Sequence, residues 1–215
     1  MQASRKVDNR LPKPTQGFEH INRYWDKQLN VPAAKILPGE IYVSKTGEIV
    51  TTVLGSCISA CIRDKVTGVG GMNHFMLPAS ANGQDGWQGS QVSAPMRYGE
   101  WAMEFLLNEI YKHGGKKRNL EVKVFGGGKI LKNMTDIGQR NILFVLEFLA
   151  REELEVVAQD LGDDCPRKVI YFSDSGRVKL KRLRSLHNNT IKEREMQYIE
   201  TISKKEPSSG DIELF

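Results

Sequence analysis

"TTVLGSCISACIRDKVTGVGGMNHFMLP", Thr51 to Pro78, carries two of the chain's three cysteines and one of its four histidines. Two apolar runs flank the turn-forming "DKVTG", a pattern that predicts an antiparallel hairpin. In the first run Ile58, Ala60 and Ile62 fall on one face and Cys57, Ser59 and Cys61 on the other. A turn centred on Lys65-Val66 sets Asp64 opposite Thr67 and Cys57 opposite His74, with Cβ atoms roughly 4.5–5.5 Å apart. A slip of one residue would put the two on opposite faces, and a bulge at Gly70-Gly71 would do the same.

That pairing has a chemical meaning. A free thiol is mostly protonated at neutral pH, and a neighbouring imidazole stabilises the thiolate. Gly55 and Ser56 precede the sulfur. Small residues there let a carbonyl approach backbone N–H groups that stabilise a tetrahedral oxyanion. Thr51 and Thr52 lie just upstream, and either can supply the third group that orients the imidazole. Two other readings of the same residues stay open. Cys57 is a small buried hydrophobe in one. In the other, Cys57, Cys61 and His74 are three zinc ligands, although no fourth ligand completes the set.

Outward from this stretch, "IYVS" and "EIVTTVL" predict short strands split by the turn "KTGE". "MRYGEWAMEFLLNEIYKHG" predicts a helix with Trp101, Phe105 and Ile110 on one side and Gly114 as its stop. "LEVKVFGG" predicts a strand, "IGQRNILFVLEFLARE" a helix, and "LEVVAQDLG" and "KVIYFSDSGRVKLKRL" further strands, the last two around "SDSG". "ASANGQDGWQGSQVS" reads as a loop. "FEHINRYWDKQLN" reads as a short docking helix within a polar N-terminal tail, and "HNNTIKEREMQYIETISKKE" as partly helical. The expected fold is α+β: a mixed β-sandwich flanked by helices. The glycines of "FGGGK" do not make a phosphate loop, because the first glycine that motif requires is Lys123 and no Ser or Thr follows Lys129. Close backbone contact is their expected role.

Composition narrows the class. The 215 residues are 40% hydrophobic and 27% charged, an ordinary globular balance. No apolar window is long enough to span a bilayer, and "MQASRKVDNRLPKP" has no hydrophobic signal core. Three cysteines without a C-x-x-C pair make no disulfide framework, so a cytoplasmic location is expected. The net charge of +5 gathers partly in "RVKLKRLR", expected to be a cation-guarded sheet edge and not a nucleic-acid surface.

"LGSC", "GGMNHFMLP", "RYGEWAM", "KVFGGG", "IGQRN", "AQDLG" and "RKVIYFSDSGRV", in that order, resemble the chemoreceptor glutamine deamidases, the CheD family. The resemblance implies a cysteine-dependent amidohydrolase that converts glutamines of methyl-accepting chemotaxis receptors to glutamate. It implies a fold like that of the cytotoxic-necrotising-factor toxins, with no cofactor and no metal. A CheC-like phosphatase is an expected further partner. The implied catalytic residues are Cys57, His74 and Thr51, the threonine six positions before the cysteine. Ser56, Asn73 and Arg97 are expected to bind substrate or the oxyanion. The resemblance divides the chain into an N-terminal extension (1–37), a deamidase domain (38–184) and a C-terminal extension with a flexible tail (185–215). Gly128 and Asp163 depart from the family pattern and bear on loop shape. The alternative function is a non-catalytic binding module that regulates a chemotaxis phosphatase or the receptor array.

Overall fold

The structure, a computed structural model, describes residues 11–77, 94–130, 137–184 and 188–204. The elements in chain order are β1 (Asn22–Asp26), β2 (Val31–Lys35), β3 (Ile41–Ser44), β4 (Ile49–Leu54), β5 (Ile58–Asp64), β6 (Gly70–Asn73), α1 (Ala94–Lys112), β7 (Leu120–Gly126), α2 (Ile137–Arg151), β8 (Val156–Leu161), β9 (Arg167–Phe172), β10 (Val178–Arg182) and α3 (Asn188–Lys204). Two mixed five-stranded sheets form, in the orders β1-β2-β4-β9-β10 and β3-β6-β5-β7-β8. The α+β expectation holds. The expected loop over 79–93 and the tail over 207–215 lie outside the described residues.

The docking helix expected in "FEHINRYWDKQLN" is not there. β1 and β2 form an antiparallel pair, and β2 joins β4 in parallel. Tyr24, Trp25 and Val31 are aromatic and β-branched residues that suit a strand. Arg23 anchors the pair: its guanidinium reaches the buried Glu48 at 2.6 Å, and Glu48 also accepts from the Tyr42 hydroxyl at 2.6 Å. Strand β10 is an edge strand with exposed Lys179, Lys181 and Arg182, as the charge pattern predicts.

The second sheet is covered on both faces. An added Cβ on Gly71 would meet Leu106 of α1, and one on Gly70 would meet the Ser173 carbonyl beyond β9. Gly71 pairs with Ile62 and Gly70 with Arg63. So Ile58, Ala60 and Ile62 face the helices, while Ser59, Cys61 and Arg63 face the first sheet. Both stripes of β5 are therefore buried. In the first sheet Val50 and Leu54 of β4 point into this shared core, with Val169 and Tyr171, while Ile49 packs with Ala33 and Phe172 on the outer face. In α1 the buried line is Ala102, Met103, Leu106, Leu107 and Ile110; Trp101, expected on that face, is 51% exposed. Gly114 stops the helix at φ 95°.

The β5–β6 register differs from the expected one. Cys61 pairs with Met72 and Arg63 with Gly70, and Ile58 bridges Phe75. The cause is a longer turn. Asp64 N–H donates to the Val69 carbonyl, and the Asp64 carboxylate accepts from Val66 N at 2.7 Å, Thr67 N at 2.8 Å, Lys116 N at 2.8 Å and Asn119 Nδ2 at 3.1 Å. The shift amounts to two residues and so preserves face parity.

Burial raises the Asp64 pKa, but these donors outweigh it and hold the carboxyl at about 2. An unfolded aspartate titrates near 3.9, so the contribution to stability is full above about pH 4 and is lost as pH falls through about 2. Asp64→Ala should destabilise the fold at neutral pH by about 2–3 kcal/mol, measured by urea unfolding, and the gap to wild type should narrow below about pH 3.

Candidate active site

The chain passes from the first sheet to the second through Gly55, Ser56 and Cys57, between β4 and β5. Every carbonyl of this crossing turn is tied inward. Gly55 O accepts from Gly128 N at 2.7 Å, Cys57 O from Gly127 N at 2.8 Å, and Ser56 O from Asn141 Nδ2 at 2.8 Å. The glycines of "FGGGK" thus make the close backbone contact expected of them. Gly126 and Gly127 adopt φ 118° and 70°, and a Cβ on Gly126 would strike the Cys57 carbonyl. Asn141, on α2, also accepts from Leu77 N at 2.9 Å and so holds two chain segments with one amide.

With its carbonyls turned inward, the turn presents its N–H groups together, an anion-binding nest. A carboxylate fills it. Glu195 of α3 accepts from Gly55 N at 2.9 Å, Ser56 N at 2.9 Å, Ser56 Oγ at 2.6 Å and Cys57 N at 3.4 Å. Ser56 thus donates to this carboxylate through both its N–H and its hydroxyl. Glu195 carried no signal in the sequence, because a glutamate in a charged helical segment reads as solvated surface.

His74 follows β6 and meets the first sheet. Its Nδ1 lies 2.7 Å from Thr52 Oγ1. The Thr52 hydroxyl has one hydrogen, and it lies toward the Ile36 carbonyl at 2.8 Å. A carbonyl cannot donate, so the imidazole must: His74 is the Nδ1–H tautomer, and Nε2 carries the lone pair. Nε2 is buried and has no hydrogen-bond partner. Burial first, and then the positive charge of Arg194, lower the His74 pKa to about 3. Cys57 is fully buried. Its thiol is pushed well above the ordinary value, by burial first and by the charge and hydrogen bond of Glu195.

This geometry corrects the expected orienting threonine. Thr51 donates to the Val169 carbonyl at 3.0 Å and does not meet His74. Strand alternation is the reason. Thr51 shares the outer parity of Ile49, while Thr52 shares the inward parity of Val50 and Leu54. Asn73 is corrected likewise. It pairs at the level of Ala60, on the helix-facing side, where its Oδ1 accepts from Ala60 N and its Nδ2 donates to the Ala102 carbonyl. It packs α1 onto the sheet. Arg97 lies in the first turns of α1, and its side chain falls outside the described residues. The zinc alternative is not supported by position: among the described residues the only three candidate ligands within 4.8 Å of one another are Asp163, Asp164 and Cys165.

The site thus combines a buried cysteine, a nest of donors at its backbone and a histidine of fixed tautomer. Comparison with known proteins gives the family. The profile of the family described as CheD chemotactic sensory transduction matches residues 76–182. A protein of Saccharophagus degradans, named "Probable chemoreceptor glutamine deamidase CheD", is 50% identical over 98% of this chain and 97% of its own length. Proteins of the same name from Halorhodospira halophila and Hahella chejuensis are 49% and 42% identical, over 95% and 100% of this chain and 94% and 100% of their own lengths. The chain belongs to the CheD family.

The tautomer is directly measurable. The imidazole ¹⁵N shifts of His74 should report a neutral Nδ1–H ring throughout pH 5–8, and Thr52→Val, which removes the acceptor, should abolish that signature while Thr51→Val leaves it unchanged.

Proposed function

We propose that the protein hydrolyses the side-chain amide of glutamines on chemotaxis receptors, giving glutamate and ammonia. The observation that carries this reading is the convergence of the Gly55, Ser56 and Cys57 N–H groups on one carboxylate beside the cysteine. Donors that hold a carboxylate also suit the oxyanion of amide hydrolysis. The relatives' name supplies the substrate: they are named for chemoreceptor glutamines.

In the proposed reaction Cys57 Sγ attacks the amide carbon and its proton passes to His74 Nε2. The carbonyl oxygen becomes an oxyanion held by the turn's N–H groups and the Ser56 hydroxyl. The C–N bond breaks, and ammonia leaves with the proton that His74 returns. His74 then takes a proton from water, which attacks the thioester; the C–S bond breaks, the thiol is restored and glutamate leaves. Thr52, not Thr51, keeps the Nδ1–H in place while Nε2 accepts and gives the proton. The buried, uncharged Cys57 and His74 are at rest, and exchange of Glu195 for a neutral amide removes the charge that most directly opposes the thiolate.

Neither a metal nor a cofactor has a part in this scheme. A CheC-like phosphatase as partner and a cytoplasmic location extend the reading. No helix among the described residues is long and apolar enough to cross a membrane.

Mass spectrometry of receptor cytoplasmic fragments tests the reading, since each converted site gains about one mass unit as amide becomes acid. Cys57→Ser and Cys57→Ala should abolish the gain in a folded chain. Thr52→Val should lower turnover about 10- to 100-fold, while Cys61→Ala and Thr51→Val should stay within about threefold of wild type. Unmodified fragments with the wild-type chain, or equal conversion by Cys57→Ala, would refute it.

A further inference from the structure

We propose that the groove under α3 is the surface that receives a substrate helix, and that α3 is its resident occupant: Glu195 stands where the carboxylate left by glutamine hydrolysis stands. This rests on the reading of Cys57 as an amidohydrolase nucleophile.

The inward stripe of α3 motivates the assignment. Ile191, Glu195, Ile199 and Ile202 recur at helical spacing on one face. Ile199 joins the main core and Tyr198 packs against it, whereas Met196 one position from Glu195 is 49% exposed. A helix docked only for stability would place an apolar side chain at the centre of that stripe. This one places a carboxylate there, 2% exposed, and its four contacts are all with N–H and O–H donors of the crossing turn. Burying a charge is unfavourable unless donors replace its water, and here they do so at the nucleophile.

The groove is shaped for a helix that carries such a side chain. A Cβ on Gly55 would come within 2.7 and 2.8 Å of the Glu195 oxygens, so only glycine leaves them room. Tyr198 crosses the rim: a Cβ on Gly39 would meet its hydroxyl at 2.6 Å, and that hydroxyl shares a hydrogen bond with Tyr98 of α1. A glutamine differs from Glu195 only in carrying –NH₂ for one oxygen. A receptor helix that offers a glutamine four residues before an apolar contact would place its one acceptor oxygen among these donors, with the –NH₂, itself a donor, turned from them, and would fill the Ile199 seat. Such a helix competes with α3 in an intramolecular contest.

The electrostatics agree with a closed, resting arrangement. The Glu195 charge and hydrogen bond oppose the Cys57 thiolate, and Arg194 on the same helix opposes the His74 imidazolium. Departure of α3 removes both groups and admits water, so the cysteine becomes reactive in the same step that vacates the groove.

Variants of the full-length chain test this. Glu195→Lys places a cation against N–H donors, and Ile199→Ser weakens the anchor without touching the turn. Both should label Cys57 with iodoacetamide about tenfold or more faster than wild type, and should deamidate a receptor fragment faster, as the vacated state gains population. In Glu195→Gln the substrate group itself sits in the site. Position 195 should return to glutamate with a gain of about one mass unit, and should stay glutamine when Cys57→Ala is added. Equal labelling and equal deamidation by wild type, Glu195→Lys and Ile199→Ser would overturn the role of α3 and leave the deamidase reading standing. A glutamine that persists at position 195 of the Glu195→Gln variant, in a preparation that converts receptor fragments, would overturn it also. Faster labelling with no ammonia released by any variant would sink the deamidase reading instead, and the product-like assignment of Glu195 with it.

Discussion

The crossing turn from Gly55 to Cys57 is the constraint on which the site depends. A chain that leaves one sheet and enters another must turn its peptide groups somewhere. Here the carbonyls turn inward because Gly127, Gly128 and Asn141 supply donors for all three. The N–H groups are then left for an external acceptor, and the geometry of that acceptor is fixed before anything binds. The long-range contacts of "FGGGK" and of α2 therefore do chemical service: loosening either would let the peptide planes rotate and scatter the donors. A backbone built this way needs no charged side chain to hold an anion.

Burial of the second sheet on both faces is the other organising fact. Between the helices and the first sheet, β5 and β6 have no wet side, so every polar group there must find a partner. Asn73 finds Ala60 and Ala102 on the helix side, and His74 finds Thr52 on the other. Fixed hydrogen bonds of this kind orient the imidazole without a carboxylate. They also keep it neutral, because an imidazolium in so dry a place would lack solvation. Two atoms here have no hydrogen-bond partner, Ser59 Oγ and His74 Nε2, and the second is the nitrogen the proposed chemistry uses.

Glu195 joins the two themes. The nest would be poorly satisfied if left dry and vacant, and the C-terminal helix satisfies it. Stability of the closed form and readiness of the open form are thus set by the same four contacts. A substrate amide would bring its one acceptor oxygen to these donors, with Ile199 and Tyr198 as the apolar part of the exchange.

Much of this was legible in the sequence. Alternation gave the strands β3 to β10, three-and-four spacing gave α1 and α2, and the small residues before Cys57 pointed to backbone N–H groups open to close approach. These signals are local, and local periodicity reports which elements form. Three things were not legible. The aromatic segment near Tyr24 became a strand because β4 offered it an edge. The hairpin register moved by two because Asp64 collected donors from residues 116 and 119, far along the chain. The choice between Thr51 and Thr52 depended on which face of β4 meets the second sheet, and adjacent residues of a strand differ in nothing else. So the sequence by itself determined most of the elements, the small residues ahead of Cys57 and the family. Only the tertiary structure decided which threonine holds His74 and that Glu195 fills the nest, because both depend on contacts between segments whose separation in sequence carries no periodic trace.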